Sequence, residues 1–299
     1  MAAGQDDTQD QGSAPDPRPS KRILNERGGA LDGGPCRVGL LSRRVVLAVP
    51  GVVMASRVWG QGAAISAQEM VVAADAVRNP GQPFRATSTL TDYVGGRPRD
   101  KVVLVVFARE DKRTGQFNNV VRYVEPPRDQ GKLVLYAGSA LWFYDPASKA
   151  AVRISAQQRL TGQASNGDVL TINMQRDYRA RLIGPEDLQD ADRQKRATWH
   201  LDLTAGGPDA IYSRIEIWLE QGTYRMVKGR FYSDSGRLLK TAYYRRYAEQ
   251  LGVIRPTETI LIDAIDSSLV TSVVSSDMRP QDIPDAWFQR DYLPRLKID

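Results

Sequence analysis

The chain has 299 residues, 41% of them hydrophobic and 25% charged, with a formal net charge of +6 at pH 7. That is enough apolar material for a buried core, and the charge does not point to nucleic acid: beyond residue 64, 33 Lys and Arg are interspersed with 29 Asp and Glu rather than gathered into a stripe. One cysteine, Cys36, and one histidine, His200, exclude a disulfide framework and leave too few ligands for a zinc site.

Residues 1–41 read as a disordered extension or a mis-assigned start, because Asp, Gln, Gly, Ser and Pro dominate and apolar positions follow no period. Residues 42–64 read as an export signal, with Ser42-Arg43-Arg44 ahead of the apolar run Val45 to Ala55 and small residues at Gly62-Ala63-Ala64. The run is shorter than the roughly 20 residues that span a hydrocarbon core. Cleavage near Ile65 would therefore release a periplasmic product with no membrane anchor. Arg43-Arg44 loosely resembles a twin-arginine signal, and Sec export is the alternative. Cys36 has no apolar run on its N-terminal side, so it does not fit a lipoprotein acylation site.

Residues 65–299 read as a single domain. Met70, Val71, Ala73, Ala74 and Val77 fall at helical spacing, and Asn79-Pro80-Gly81 ends the helix. The period then changes to two. Residues 84–93 and 101–107 are predicted to form a hairpin around Gly95-Gly96. Further strands are expected at 120–124, 132–136, 140–144, 151–155, 198–204, 211–219, 224–233, 237–247, 257–265 and 269–275. The clearest alternation sets Ile211, Ser213, Ile215, Ile217 and Leu219 against Tyr212, Arg214, Glu216 and Trp218. Two stretches interrupt the strands and are candidate lids: 156–184, with a helix expected near 170–181, and 282–296, which holds Trp287, Phe288, Tyr292 and Leu293. The fold class is mainly β with a few helices (α+β), an antiparallel sheet of about a dozen strands.

The most specific stretch is Arg122-Tyr123-Val124-Glu125-Pro126 with Gly131, followed by Leu141-Trp142-Phe143-Tyr144-Asp145-Pro146. The order of these pieces resembles the outer-membrane lipoprotein-sorting branch of the lipoprotein carriers, the LolA/LolB-like family, from the first helix to about Ile262. The resemblance implies an incomplete antiparallel β-barrel whose mouth is covered by helices and whose apolar cleft accepts acyl chains. Relatives carry a Gly-Ser-Asp-Phe-like segment after the Arg-Ile strand, where this chain has Ser165-Asn166-Gly167-Asp168-Val169-Leu170.

The expected function is that of a periplasmic carrier, not an enzyme, shuttling lipid or lipoprotein acyl chains between membranes, with transient contact at a membrane surface. It would work as a monomer, with no cofactor, no metal and no nucleic-acid partner. The expected cleft residues are Trp142, Tyr144, Leu133, Leu135, Tyr123, Trp218 and Phe231, with Trp142 and Tyr144 facing the ligand. Arg122 is a candidate headgroup or lid contact, against an ordinary ion pair with Glu125 or Asp129. Two alternatives stand beside the carrier. One is an adaptor of an inner-membrane hydrophobe transporter, docking through Trp287-Phe288. The other is a hydrolase using His200, which shares a strand face with Asp202 but lacks a well-placed nucleophile.

Overall fold

A computed structural model describes residues 65–208 and 210–298. The expected extension 1–41 and export signal 42–64 lie outside the described residues. Helix α1 (Ala67–Arg78) begins at Ser66, whose hydroxyl accepts from the Glu69 N–H at 3.2 Å while the Glu69 carboxylate accepts from the Ser66 N–H at 2.7 Å. This capping box satisfies two backbone donors at the helix start. Asn79, extended at φ −100°, ends the helix ahead of Pro80 as predicted. Its apolar stripe of Met70, Val71 and Ala74 is buried.

A first antiparallel meander runs through β1 (Phe84–Val94), β2 (Arg97–Asp111), β3 (Gln116–Glu125), β4 (Leu133–Ala137), β5 (Ala140–Asp145) and β6 (Ala150–Ile154). A small hairpin follows, β7 (Arg159–Thr161) with β8 (Ala164–Ser165), then the one-turn helix α2 (Met174–Asp177). The second meander is β9 (Tyr178–Gln189), β10 (Lys195–Ala205), β11 (Arg214–Glu220), β12 (Met226–Tyr232), β13 (Leu238–Gln250), β14 (Val253–Asp263) and β15 (Leu269–Pro280). β15 pairs with β1, so the two meanders fuse into one 13-stranded sheet with β6 and β9 at its edges. The edges do not pair with each other, and the barrel stays incomplete as expected.

Period-two alternation gives the sheet two unlike faces. On β11, Ile215, Ile217 and Leu219 point to the inner face and are fully buried, while Glu216 and Trp218 point outward. The inner face continues through Leu90, Leu104, Val121, Val134, Leu141 and Leu203, and α1 packs on it. A separate outer cluster gathers Phe107, Val120, Leu133, Leu135 and Tyr144 beneath the C-terminal segment 281–298. That segment forms two short 3-10 turns, Asp285–Phe288 and Arg290–Arg295, and buries Ile283, Phe288 and Leu293. Each such side chain gains roughly 1.5–3 kcal/mol from burial, enough to hold the segment as a strap.

Three expectations need correction. The helix expected near 170–181 is a single turn, and 178–189 is a strand. β9 is the sheet's edge and mostly exposed, so its polar residues carry no alternation that could reveal it. Residues 211–213 are bends ahead of β11: the Tyr212 hydroxyl is drawn to Asp168 of the cover described below, and Ser213 keeps a single backbone bond from Ala205 of β10. The two candidate lids lie on opposite faces, so 282–296 is a strap on the outer face and not a lid over the inner one.

Candidate functional site

Segment 156–177 and α1 together cover the inner face, and buried polar side chains fasten them. Asn119 accepts from the Thr171 N–H and donates back to the Thr171 carbonyl, both at 2.9 Å. Gln116 accepts from the Asn173 N–H at 3.0 Å and donates to Asp177 at 2.7 Å. From α1, Arg78 and Asn79 both donate to the Ile172 carbonyl, at 3.0 and 2.9 Å. Asp75 accepts from the Gln175 N–H at 2.8 Å. Burial pushes the Asp75 carboxyl up, against the pull of Arg78. Each of these groups would cost free energy if left unpaired, so they set where the cover sits.

The other end of the cover is held by a buried charge cluster. Asp168 is ion-paired with Lys240 of β13 and accepts from the Tyr212 hydroxyl at 2.9 Å and from the Ser165 N–H at 2.7 Å. Lys240 also donates to the Gln163 carbonyl at 3.2 Å and to the Ser165 hydroxyl at 3.3 Å. Burial, then the negative Asp168, pushes the Tyr212 phenol well above its usual value, so it acts as a donor here. Gly167 lets the cover approach this closely: a Cβ there would lie 2.6 Å from the Ile211 side chain.

Between cover and sheet lies a narrow cavity of about 220 Å³. Ile211, Ile215, Phe231 and Leu261 line it from the sheet side, and Leu170, Ile172 and Met174 from the cover. A further space of about 170 Å³ shares Arg78, Thr259, Val273 and Met278 with it and continues toward Phe84, Ala86 and Val106. Along β14 the inward positions change from Leu261 through Thr259 to Arg255, and the same space passes from apolar to polar over roughly 20 Å of strand.

The sequence-predicted residues do not form one lining. Phe231 lines the cavity. Tyr123 is also on the inner face, edge-on to Phe143 at 6.4 Å, where burial pushes its phenol up to about 12. Leu133, Leu135, Trp142 and Tyr144 lie on the outer face beneath the strap, with Arg290 over the Trp142 ring at 5.1 Å. Leu141 and Phe143 are the inward residues of β5. Trp142 and Tyr144, expected to face the ligand, thus lie on the face opposite this cavity, because alternation from Leu141 fixes their side once β5 pairs β4. Trp218 is buried on the outer face among charges, stacked on His200 at 4.1 Å with Lys228 4.6 Å from its centroid.

Arg122 donates to the Ile298 carbonyl and so fastens the strap; Glu125 pairs instead with Lys101, and Asp129 with Lys132. His200 and Asp202 share the outer face, as the alternation predicts. Their partners lie elsewhere: Asp202 is held by Arg214 at 2.6 Å and Arg181 at 2.9 Å, and His200 Nδ1 faces Glu186 at 3.1 Å.

A solved LolA superfamily protein from Nitrosomonas europaea is 33% identical, matching 77% of this chain and 100% of its own, with a TM-score of 0.68. This chain belongs to the LolA superfamily. Two further structures resemble this LolA-superfamily protein in fold. One is a DUF1329 family protein from Desulfovibrio piger, 21% identical over 76% of this chain and 97% of that one, with a TM-score of 0.64. The other is described as an outer membrane lipoprotein-sorting protein domain from Vibrio parahaemolyticus, 19% identical over 77% and 98%, with a TM-score of 0.64. A family model described as "Uncharacterized protein", -like, matches residues 115–295. No curated protein matches the chain.

Sequence reasoning placed a lid at 156–184 but missed its lining residues Leu170, Ile172 and Met174, whose spacing of two covers only five residues and runs into the helical turn at Met174. Arg255 was also missed. The signal was present: in Arg255, Thr257, Thr259 and Leu261 a charge occupies the inward register of a core strand.

Proposed function

We propose that this protein binds lipid or the acyl chains of a lipoprotein between the inner sheet face and its cover, and carries them between membranes as a periplasmic protein without catalysis. The observation that carries this reading is the apolar space beneath a cover held by discrete polar fastenings. Burying a CH₂ group gains about 0.8 kcal/mol, so a sixteen-carbon chain gains on the order of 12 kcal/mol gross in a dry cleft. Lifting the end of the cover at Thr171–Asn173 costs a few hydrogen bonds of about 1 kcal/mol each, while the buried Asp168–Lys240 pair holds the other end, so a chain can enter without the whole cover being released. Membership of the LolA superfamily supports the same reading.

Export fits the position of the first described helix. The capping box at Ser66 follows directly on the expected cleavage site near Ile65, so the mature chain would begin at its first helix. N-terminal sequencing of periplasmic protein tests this, and a form retaining Arg43-Arg44 opposes it. For binding, native mass spectrometry of protein purified from cells should detect an acyl lipid that organic extraction removes. The extracted protein should then bind the uncharged apolar probe N-phenyl-1-naphthylamine. Lipid-free protein that also ignores the probe would overturn the carrier reading.

A further inference from the structure

Among the charged side chains that line the cavity, Arg78 has Asp75 at 3.6 Å and the Ile172 carbonyl, and Asp168 has Lys240. Arg255 differs. It is 3% exposed, its Nη1 reaches only the Met278 thioether at 3.7 Å, and its Nε has no partner among the described residues. Burial lowers its pKa and no neighbouring carboxylate opposes the shift, although a guanidinium remains charged in any case. Structural buried arginines are stabilised by a carboxylate or a full set of carbonyls; this one has neither.

Its position gives the missing partner a direction. Arg255, Thr257, Thr259 and Leu261 share the inward register of β14, so the guanidinium sits at the polar end of the space whose other end is Ile215 and Phe231. Arg78, Thr259 and Ser275 line the same end and add donors. A planar fork of N–H groups with hydroxyls around it matches an oxyanion, and the apolar run beyond matches a hydrocarbon chain.

We propose that Arg255, assisted by Arg78, Thr259 and Ser275, receives the anionic headgroup, carboxylate or phosphate, of a single-chain amphiphile whose tail lies toward Ile215 and Phe231. This rests on the acyl-binding reading of the cleft and adds to it the sign of the headgroup. The guanidinium has no carboxylate partner among the described residues because its counter-charge arrives with the ligand.

Displacement of N-phenyl-1-naphthylamine from delipidated protein tests it, with dodecanoate, dodecyl phosphate, dodecanol and inorganic phosphate as competitors. Dodecanoate and dodecyl phosphate should displace the probe at concentrations at least tenfold below dodecanol. In Arg255→Met the advantage should shrink to within threefold, with dodecanol unchanged, and Arg255→Lys should retain part of it. Because Met removes an unpaired buried charge, that variant should melt no lower than the parent. Equal displacement by all three amphiphiles in the parent protein overturns the proposal whether or not any variant folds, and so does an advantage that survives Arg255→Met. Thermal stabilisation by millimolar inorganic phosphate that Arg255→Met abolishes, without any preference among the amphiphiles, would assign the site to a free anion and also overturn it. A probe that fails to bind at all opposes the carrier reading instead.

Discussion

Lys240 and Asp168 form an ion pair in the interior, their side chains 5% and 9% exposed, and the pair joins β13 to the cover segment. Breaking it from one side leaves a buried charge, which costs about 3–5 kcal/mol. Lys240→Met should therefore destabilise the protein by that order in urea and speed proteolytic nicking within 156–177. Adding Asp168→Asn should recover much of the loss, because the charge left behind is then removed. A single variant that loses less than 1 kcal/mol and is nicked no faster would mean that the pair does not hold the cover.

The residues of this latch explain which parts of the fold were legible. Strands buried on one face announce themselves by alternation, as Ile215, Ile217 and Leu219 do, and α1 is announced by its cap and its stripe. β9 lacks that signal because an edge strand in water has no face to bury. The cover is held by Asn119, Gln116, Asp168 and Lys240, which come from distant parts of the chain. A polar residue that meets its partner only in three dimensions looks in sequence like any solvated one. The split of the aromatics had the same origin: alternation separates Trp142 from Phe143, but only the placement of the strap tells which face is which.

The strap makes its own prediction. Arg109 donates to the Ile283 carbonyl at 2.7 Å, pairs with Asp285 and lies 4.9 Å from the Phe288 ring centroid, while Trp287 meets Phe107 edge-on at 5.2 Å. A chain ending at Pro280 exposes Phe107, Val120, Leu133, Leu135 and Tyr144 as one apolar patch. Sedimentation should show concentration-dependent association absent from the full chain. Phe288→Ala should cost up to about 3 kcal/mol, limited by local release of the strap. A truncated chain that stays monomeric at high concentration would show that the strap is dispensable for covering this face.

Acid sensitivity should come partly from the outer-face network. Burial alone would raise the Asp202 carboxyl, but hydrogen bonds from Arg214 and Arg181 outweigh it and hold the group below the ordinary carboxylate range. Its folded pKa lies below its unfolded value near 3.9, so its contribution is fully present above that pH and is lost as pH falls through the folded value. Asp202→Asn should cost about 1 kcal/mol at pH 7, a figure already reduced for the partial exposure of both arginines. The difference from the parent should shrink progressively as pH falls below the unfolded value. Urea unfolding across that range checks it, and a loss that is the same at every pH would assign the effect to packing.

The two faces of the sheet should respond differently to the same charge. Val273 lies on β15, half-buried, and lines both parts of the inner space beside Thr259. A lysine there faces Arg78 and Arg255, and among the described residues the carboxylate lining this space, Asp168, is already paired with Lys240, so it places an unneutralised charge where a chain would lie, at a cost of several kcal/mol. Trp142 is also half-buried, but at the margin of the strap, where a lysine can extend its ammonium into water. Val273→Lys should therefore weaken N-phenyl-1-naphthylamine binding at least tenfold, while Trp142→Lys should leave it within about twofold. Circular dichroism establishes that both variants are folded before binding is compared. The opposite result, with loss at Trp142 and none at Val273, would move the ligand to the outer face and return Trp142 and Tyr144 to the cleft.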